Sequence, residues 1–281
     1  MSDQFITTEI RDGVLILTMQ DPPTRNAIGP EMAREMVEAL DRFEQDPQQR
    51  VLLLTGAEPS FCSGANVRGF NQRIQEREQA GAEPDPLPWG SMEARYARHA
   101  ETGRYDVPQV VLRIHELQKP SVAAVNGHAV GAGMGLALAC DIRYAAEKAS
   151  FSEAFVLRGL IPGDGSCWQL PRLIGFSNAL LLQYTGDRVD GAEAYRMGLA
   201  SKVVADDQLL ESALELATRL AQGATKSQSL IKYLVHRSLD LNLRESLDLA
   251  HAAQEQARST EDHKEAVQAF LEKRRPNFQG R

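Results

Sequence analysis

Two glycine-bearing turns carry the residues with the clearest chemical potential. Phe61-Cys62-Ser63-Gly64-Ala65-Asn66 follows the apolar run VLLLT at 51–55, and Asn126-Gly127-His128-Ala129-Val130-Gly131-Ala132-Gly133 follows SVAAV at 121–125. Each turn puts backbone N–H groups past the end of an expected strand, and the second opens a helix of small residues. The free N–H groups of a helix start and the helix dipole both favour negative charge, so the chemistry suggested is anion stabilisation. For any one such turn the plainer reading competes, namely that glycines let the chain reverse. Neither turn has the spacing of a dinucleotide-binding or phosphate-loop motif, and no Gly-Lys-Ser/Thr follows either of them.

The elements that must position these turns alternate. Residues 14–19 (VLILTM) read as a strand closed by Asp21-Pro22-Pro23. Pro30 opens an amphipathic helix with Met32, Met36, Leu40 and Phe43 on one face, ending at Asp46-Pro47. A strand at 51–55, a helix at 107–117, a strand at 120–125, a helix at 131–140 and a strand at 142–145 follow, and 174–204 repeats the alternation in shorter form. This is an α/β pattern. Residues 71–104 lose apolar periodicity and include AGAEPDPLPWG, which predicts a mobile loop or lid. From Asp206 onward only helices are expected, the last capped by Ser259 or Thr260 ahead of Glu261 and Asp262. The expected division is therefore an α/β core over 1–205 and a helical region over 206–281, whose apolar faces need partners on the core or on another subunit.

Composition narrows the function classes. With 43% hydrophobic and 25% charged residues in 281, the chain reads as an ordinary globular enzyme. A net charge of −7, from 31 basic and 38 acidic residues, argues against nucleic acid as a partner. Cys62, Cys140 and Cys167 form no C-x-x-C pair, so neither a disulfide framework nor a metal cage is expected, and a cytoplasmic setting fits. The N-terminus has neither a basic start nor a long apolar run, so no signal peptide is expected. Residues 120–140 carry no formal charge, but Asn126, His128 and four glycines divide them, so no membrane span is expected.

The whole run of motifs resembles the enoyl-CoA hydratase/isomerase, or crotonase, superfamily: TRNAIGPEM, VLLLTGAEPSFCSGANVRGF, KPSVAAVNGHAVGAGMGLALACDIRYAAEKASFSEA, GLIPGDGSCWQLPRLIG, QYTGDRVDGAEAYRMGLASKVV and the terminal EAVQAFLEKRRPNF. The resemblance implies a crotonase-like spiral of ββα units with a C-terminal helical trimerisation region, giving a homotrimer or a dimer of trimers. It implies an acyl-CoA thioester as substrate, with coenzyme A part of that substrate and no separate cofactor or metal. It puts the two donors that hold the thioester enolate oxygen at Ala65 and Ala132. Coenzyme A would lie along Arg25, Ala27, Ile28, Asn66 and Val67, with Lys273 near its phosphates and Phe155 beside the acyl group; Arg25 has the blander alternative of a solvated charge.

The family's two proton-transfer glutamates correspond here to Gly135 and Phe155, neither of which transfers a proton. The two-glutamate hydration and the one-glutamate isomerisation both lack their groups. Some relatives carry an aspartate at the position of Gly163, and a diketone hydrolase relative shares Pro-Gly-Asp-Gly, which makes Asp164 the catalytic candidate; its alternative role is to cap the helix beginning near Ser166. Glu153, expected on the same strand face as Phe155, is the second candidate carboxylate. His128 is a possible base or a packed, hydrogen-bonded residue, Cys62 a packing residue, and Trp89 and Trp168 pocket walls or core. The expected function is double-bond isomerisation or atypical hydration of an enoyl-CoA, with a β-diketone C–C hydrolase and a non-catalytic binding protein as alternatives.

Overall fold

The computed structural model describes residues 4–66, 70–79, 81 and 106–281. Strands β1 (Ile6–Arg11) and β2 (Val14–Met19) form an antiparallel hairpin that turns at Asp12 and Gly13, both with positive φ, as the twist of a two-residue hairpin requires. β3 (Val51–Gly56), β4 (Ser121–Val125), β6 (Ile142–Ala146) and β9 (Lys202–Val204) continue in parallel, giving the order β1-β2-β3-β4-β6-β9. β3 and β4 are buried at every position, which is why they read as unbroken apolar runs. β5 (His128–Val130), β7 (Ser150–Ser152) and β8 (Arg188–Asp190) make a second, three-stranded sheet.

Helix α1 (Pro30–Gln45) buries Met32, Met36, Leu40 and Phe43, the face its spacing predicts. α2 (Phe70–Gln79) corrects the expected loop over 71–104: FNQRIQEREQ lacks an apolar stripe but is rich in residues with good intrinsic helix propensity. The remainder of that stretch, Trp89 included, lies outside the described residues. α3 (Val107–Glu116) packs on α1 and on α4 (Ala132–Ala139), whose residues are all buried. α5 (Ser166–Ile174), α6 (Phe176–Thr185) and α7 (Gly191–Met197) follow. α8 (Leu209–Ala221) lies across β2, β3, β4 and β6, so the first helix after Asp206 is packed on the sheet.

α9 (Thr225–Ser238), α10 (Leu243–Arg258) and α11 (Glu261–Leu271) complete the chain. Thr260 caps α11 by accepting from the His263 amide at 3.1 Å, as expected. The tail after α11 returns to the start of β3, where Arg50 donates to the Phe278 carbonyl at 3.1 Å. Among the described residues no helix is long and apolar enough to cross a membrane. The mixed α/β architecture with its helical C-terminal region is the one anticipated from the motifs.

Candidate active site

The two glycine turns come together on the carboxyl-terminal side of β3 and β4. Cys62 donates its amide to the His128 carbonyl at 2.9 Å and accepts from Val130 at 3.0 Å, which ties the first turn to β5. On its other side Ile28 donates to Gly64 and Asn66 donates to Ile28, both at 2.9 Å, and Ser63 donates to the Arg25 carbonyl at 3.0 Å. These bonds consume the neighbours of Ala65 and leave its N–H without a backbone acceptor among the described residues. The amide of Ala132, the first residue of α4, is equally uncommitted among the described residues. A methyl group on Gly64 would stand 4.0 Å from the Ala132 nitrogen, so the two turns are in contact. Gly133 makes this approach possible, since a Cβ there would lie 2.8 Å from Cys62 Cβ and closer still to the Cys62 carbonyl.

Two buried polar side chains stabilise this arrangement. Asn26, fully buried, donates from Nδ2 to the carbonyls of Ala57 and Ser60 at 2.7 Å and fixes the loop beneath the first turn. Arg143, 4% exposed, donates to the carbonyls of Cys140 at 2.6 Å and Leu199 at 2.7 Å, and so neutralises the buried carboxyl end of α4. The N-terminus of α4 is left facing the turns. An arginine in an apolar sequence after a small-residue helix was the signal available for this role.

Asp164 divides its two oxygens. Oδ1 accepts from the Ser166 amide at 3.1 Å and from the Ser166 hydroxyl at 2.7 Å, while Oδ2 is buried with no partner. The carboxyl occupies the space beside Gly135, where an added Cβ would lie 2.7 Å from Asp164 Cγ. Gly135 is three residues after Ala132 in α4, about 4.5 Å along a helix axis. Burial pushes the Asp164 carboxyl above its ordinary value, against the lowering effect of the Ser166 hydrogen bonds. Glu153 is 0% exposed, with neither oxygen bonded, and is pushed up to about 8 by burial first and by the charge of Asp164 second.

The expected strand face shared by Glu153 and Phe155 is corrected: β7 stops at Ser152, and Phe155 has helical backbone angles with its amide donating to the Glu153 carbonyl at 2.7 Å. The chain therefore turns inward at Glu153 and sets the Phe155 ring against Gly131, 3.4 Å from where a Cβ would be. His128 shares a 2.6 Å hydrogen bond with Ser150, and its pKa is lowered by burial, then by Arg188 and Arg25. Arg25, which is exposed, lies beside the first turn, its carbonyl accepting from the Ser63 amide at 3.0 Å. Cys62 is fully buried and pushed up to about 11, so it is a packing residue. Trp168 packs on Arg172 at 4.0 Å and on His115 at 5.2 Å, and lines a cavity beside α9.

Ala27 and Ile28 are buried under the first turn and Asn66 edges it, while Val67 lies outside the described residues. Lys273 is exposed beyond α11, in a segment anchored at the opposite end of β3, and the single chain does not gather it with Arg25. Two concavities beside α9, of about 720 and 480 Å³, are lined by neither turn nor by Asp164. Among the described residues no cluster suited to a metal ion is present.

A family model described as enoyl-CoA hydratase/isomerase matches residues 9–89 and 88–281. The chain is 36% identical over 278 residues to a 1,2-epoxyphenylacetyl-CoA isomerase of Escherichia coli (strain K12), covering 99% of each. It is 32% identical over 280 residues to a crotonyl-CoA hydratase of Syntrophomonas wolfei, again covering 99% of each. The crystal structure of an enoyl-CoA hydratase from Bacillus anthracis superposes with a TM-score of 0.83 at 30% identity, over 99% of this chain and all of that one.

Proposed function

Because the chain belongs to the enoyl-CoA hydratase/isomerase family and is an acyl-CoA-processing enzyme of it, we propose that it shifts the double bond of an enoyl-CoA through an enolate held by the Ala65 and Ala132 amides, with Asp164 moving the proton. The observation that carries this reading is the bare Oδ2 of Asp164, one helical turn from the Ala132 amide. Two preorganised donors, one at a helix start, contribute several kcal/mol to developing negative charge, on the order of 3–4 kcal/mol for each donor in comparable sites. Asp164 then serves as base at the α carbon and returns the proton at the γ carbon.

Arg25 and Arg188 supply positive charge for the phosphates of coenzyme A, and Phe155 forms an apolar wall beside the thioester. Gly135 and Phe155 offer no proton-transfer group for the usual two-glutamate water addition, and the relatives named above include both an isomerase and a hydratase. Crotonyl-CoA hydration is accordingly expected to be slow. The experiment is a panel of enoyl-CoA thioesters followed for double-bond migration with wild type and Asp164→Asn, which keeps the capping acceptor and removes the base. A drop of about 10²- to 10⁴-fold in kcat is expected; wild-type turnover in the variant leaves Asp164 a cap only.

A further inference from the structure

Glu153 takes no part in the reaction as written, yet it is sealed from solvent with Oε1 and Oε2 both unpartnered, and Asp164 Oδ2 adds a third bare carboxyl oxygen. Burying ionised carboxylates without donors is costly, and two such charges side by side oppose one another. The groups that face the pair are the Ser166 hydroxyl and amide and the Cys167 thiol on α5, and the Gly135 amide on α4. Among the described residues none of these is a cation, so the surroundings support one negative charge and not two.

The hydrogen bonds decide where that charge sits. Asp164 accepts from the Ser166 amide at 3.1 Å and from its hydroxyl at 2.7 Å, whereas Glu153 accepts no hydrogen bond within 3.5 Å and has only the nearby Ser166 hydroxyl to favour its charge. The charge is therefore better held on Asp164 and the proton on Glu153. We propose that Glu153 and Asp164 hold a single proton between them across Ser166, and that Glu153 is a positioning residue which stores this proton and so keeps Asp164 an ionised base. This rests on the function proposed above and extends it.

The cycle balances. Asp164 takes the α proton while the C–H electron pair moves toward the thioester carbonyl, whose oxygen the Ala65 and Ala132 amides hold. The pair then carries two protons and no charge. Return of one proton to the γ carbon, as the enolate electrons form the new double bond, restores one proton and one charge. The upward push on Glu153 to about 8 agrees with a carboxyl that stays protonated at neutral pH.

Infrared difference spectroscopy of the intact protein between about pH 6 and pH 9 tests this without any substrate. Wild type is expected to lose one protonated-carboxyl band across that range, Glu153→Gln to lack the band, and Asp164→Asn to move its midpoint downward by about one pH unit or more. The alkaline limb of the wild-type pH–rate profile should disappear in Glu153→Gln. Absence of the band from neutral wild type, or its survival in Glu153→Gln, overturns the shared-proton pair. The wild-type titration stands even if the variant does not fold. Full turnover by Asp164→Asn alongside an intact wild-type band would instead overturn the function reading, so the two failures are distinguishable.

Discussion

Asp164 reconciles two roles that compete in the sequence, since Oδ1 caps α5 through Ser166 while Oδ2 stays bare against Gly135. Gly135→Ala would push a methyl group into that carboxyl, so a loss of turnover of at least about tenfold, with a cost of about 1–3 kcal/mol in urea unfolding, is expected. Unchanged activity in Gly135→Ala would show that Asp164 does not need its present position. Glu153 makes a second, pH-dependent contribution. Its folded pKa lies above its ordinary value of 4.5, near 8, so the folded state holds the proton more tightly, and this group's favourable contribution is lost as pH rises from about 4.5 through 8. Thermal stability should therefore fall over that range more steeply in wild type than in Glu153→Gln. Asp164 was legible because it stands among glycines in a motif with few other acids. The burial of Glu153 was not, because alternation suggested a strand continuing to Phe155, while the chain in fact turns inward after Ser152.

α4 is the element on which the site depends: its start supplies the Ala132 amide, its second turn leaves room for Asp164, and its far end is neutralised by Arg143. Gly133→Ala would force α4 away from the first turn, and a fall in turnover together with weaker binding of an acyl-CoA is expected, read as separate changes in kcat and KM. The small-residue run made this helix visible in advance, as continuous burial did for β3 and β4. The short strands of the second sheet were hidden, because three residues carry too little periodicity to register. α9 docks through Lys232 on Asp141 at 3.0 Å and through His236, whose ring centroid is 4.4 Å from that of His115. Burial lowers the pKa of both histidines below 6.5, so docking is fully stabilised above that value and weakens as pH falls through the lowered ones. Protection factors over 225–238, corrected for the slower intrinsic exchange at low pH, should be smaller near pH 5.5 than near pH 7.5; equal protection at both values would contradict this.

The whole molecule exposes apolar side chains that a single copy leaves uncovered, among them Phe176 at 77%, Phe270 at 82% and Leu271 at 75%. A trimer or hexamer is the expected state in sedimentation at micromolar concentration, and Phe270→Glu with Leu271→Glu should shift it toward smaller species. A monomeric wild type would contradict that expectation. The family and its architecture were readable from motif order across the chain, whereas subunit contacts depend on surfaces that sequence patterning does not pair. The central chemical claim is tested most directly on the intact protein by exchange of the α protons of a saturated acyl-CoA for deuterium, followed by NMR in D₂O, because this isolates enolate formation from every later step. Wild type should catalyse the exchange and Asp164→Asn should slow it by about 10²-fold or more; exchange at the wild-type rate in the variant would contradict the account.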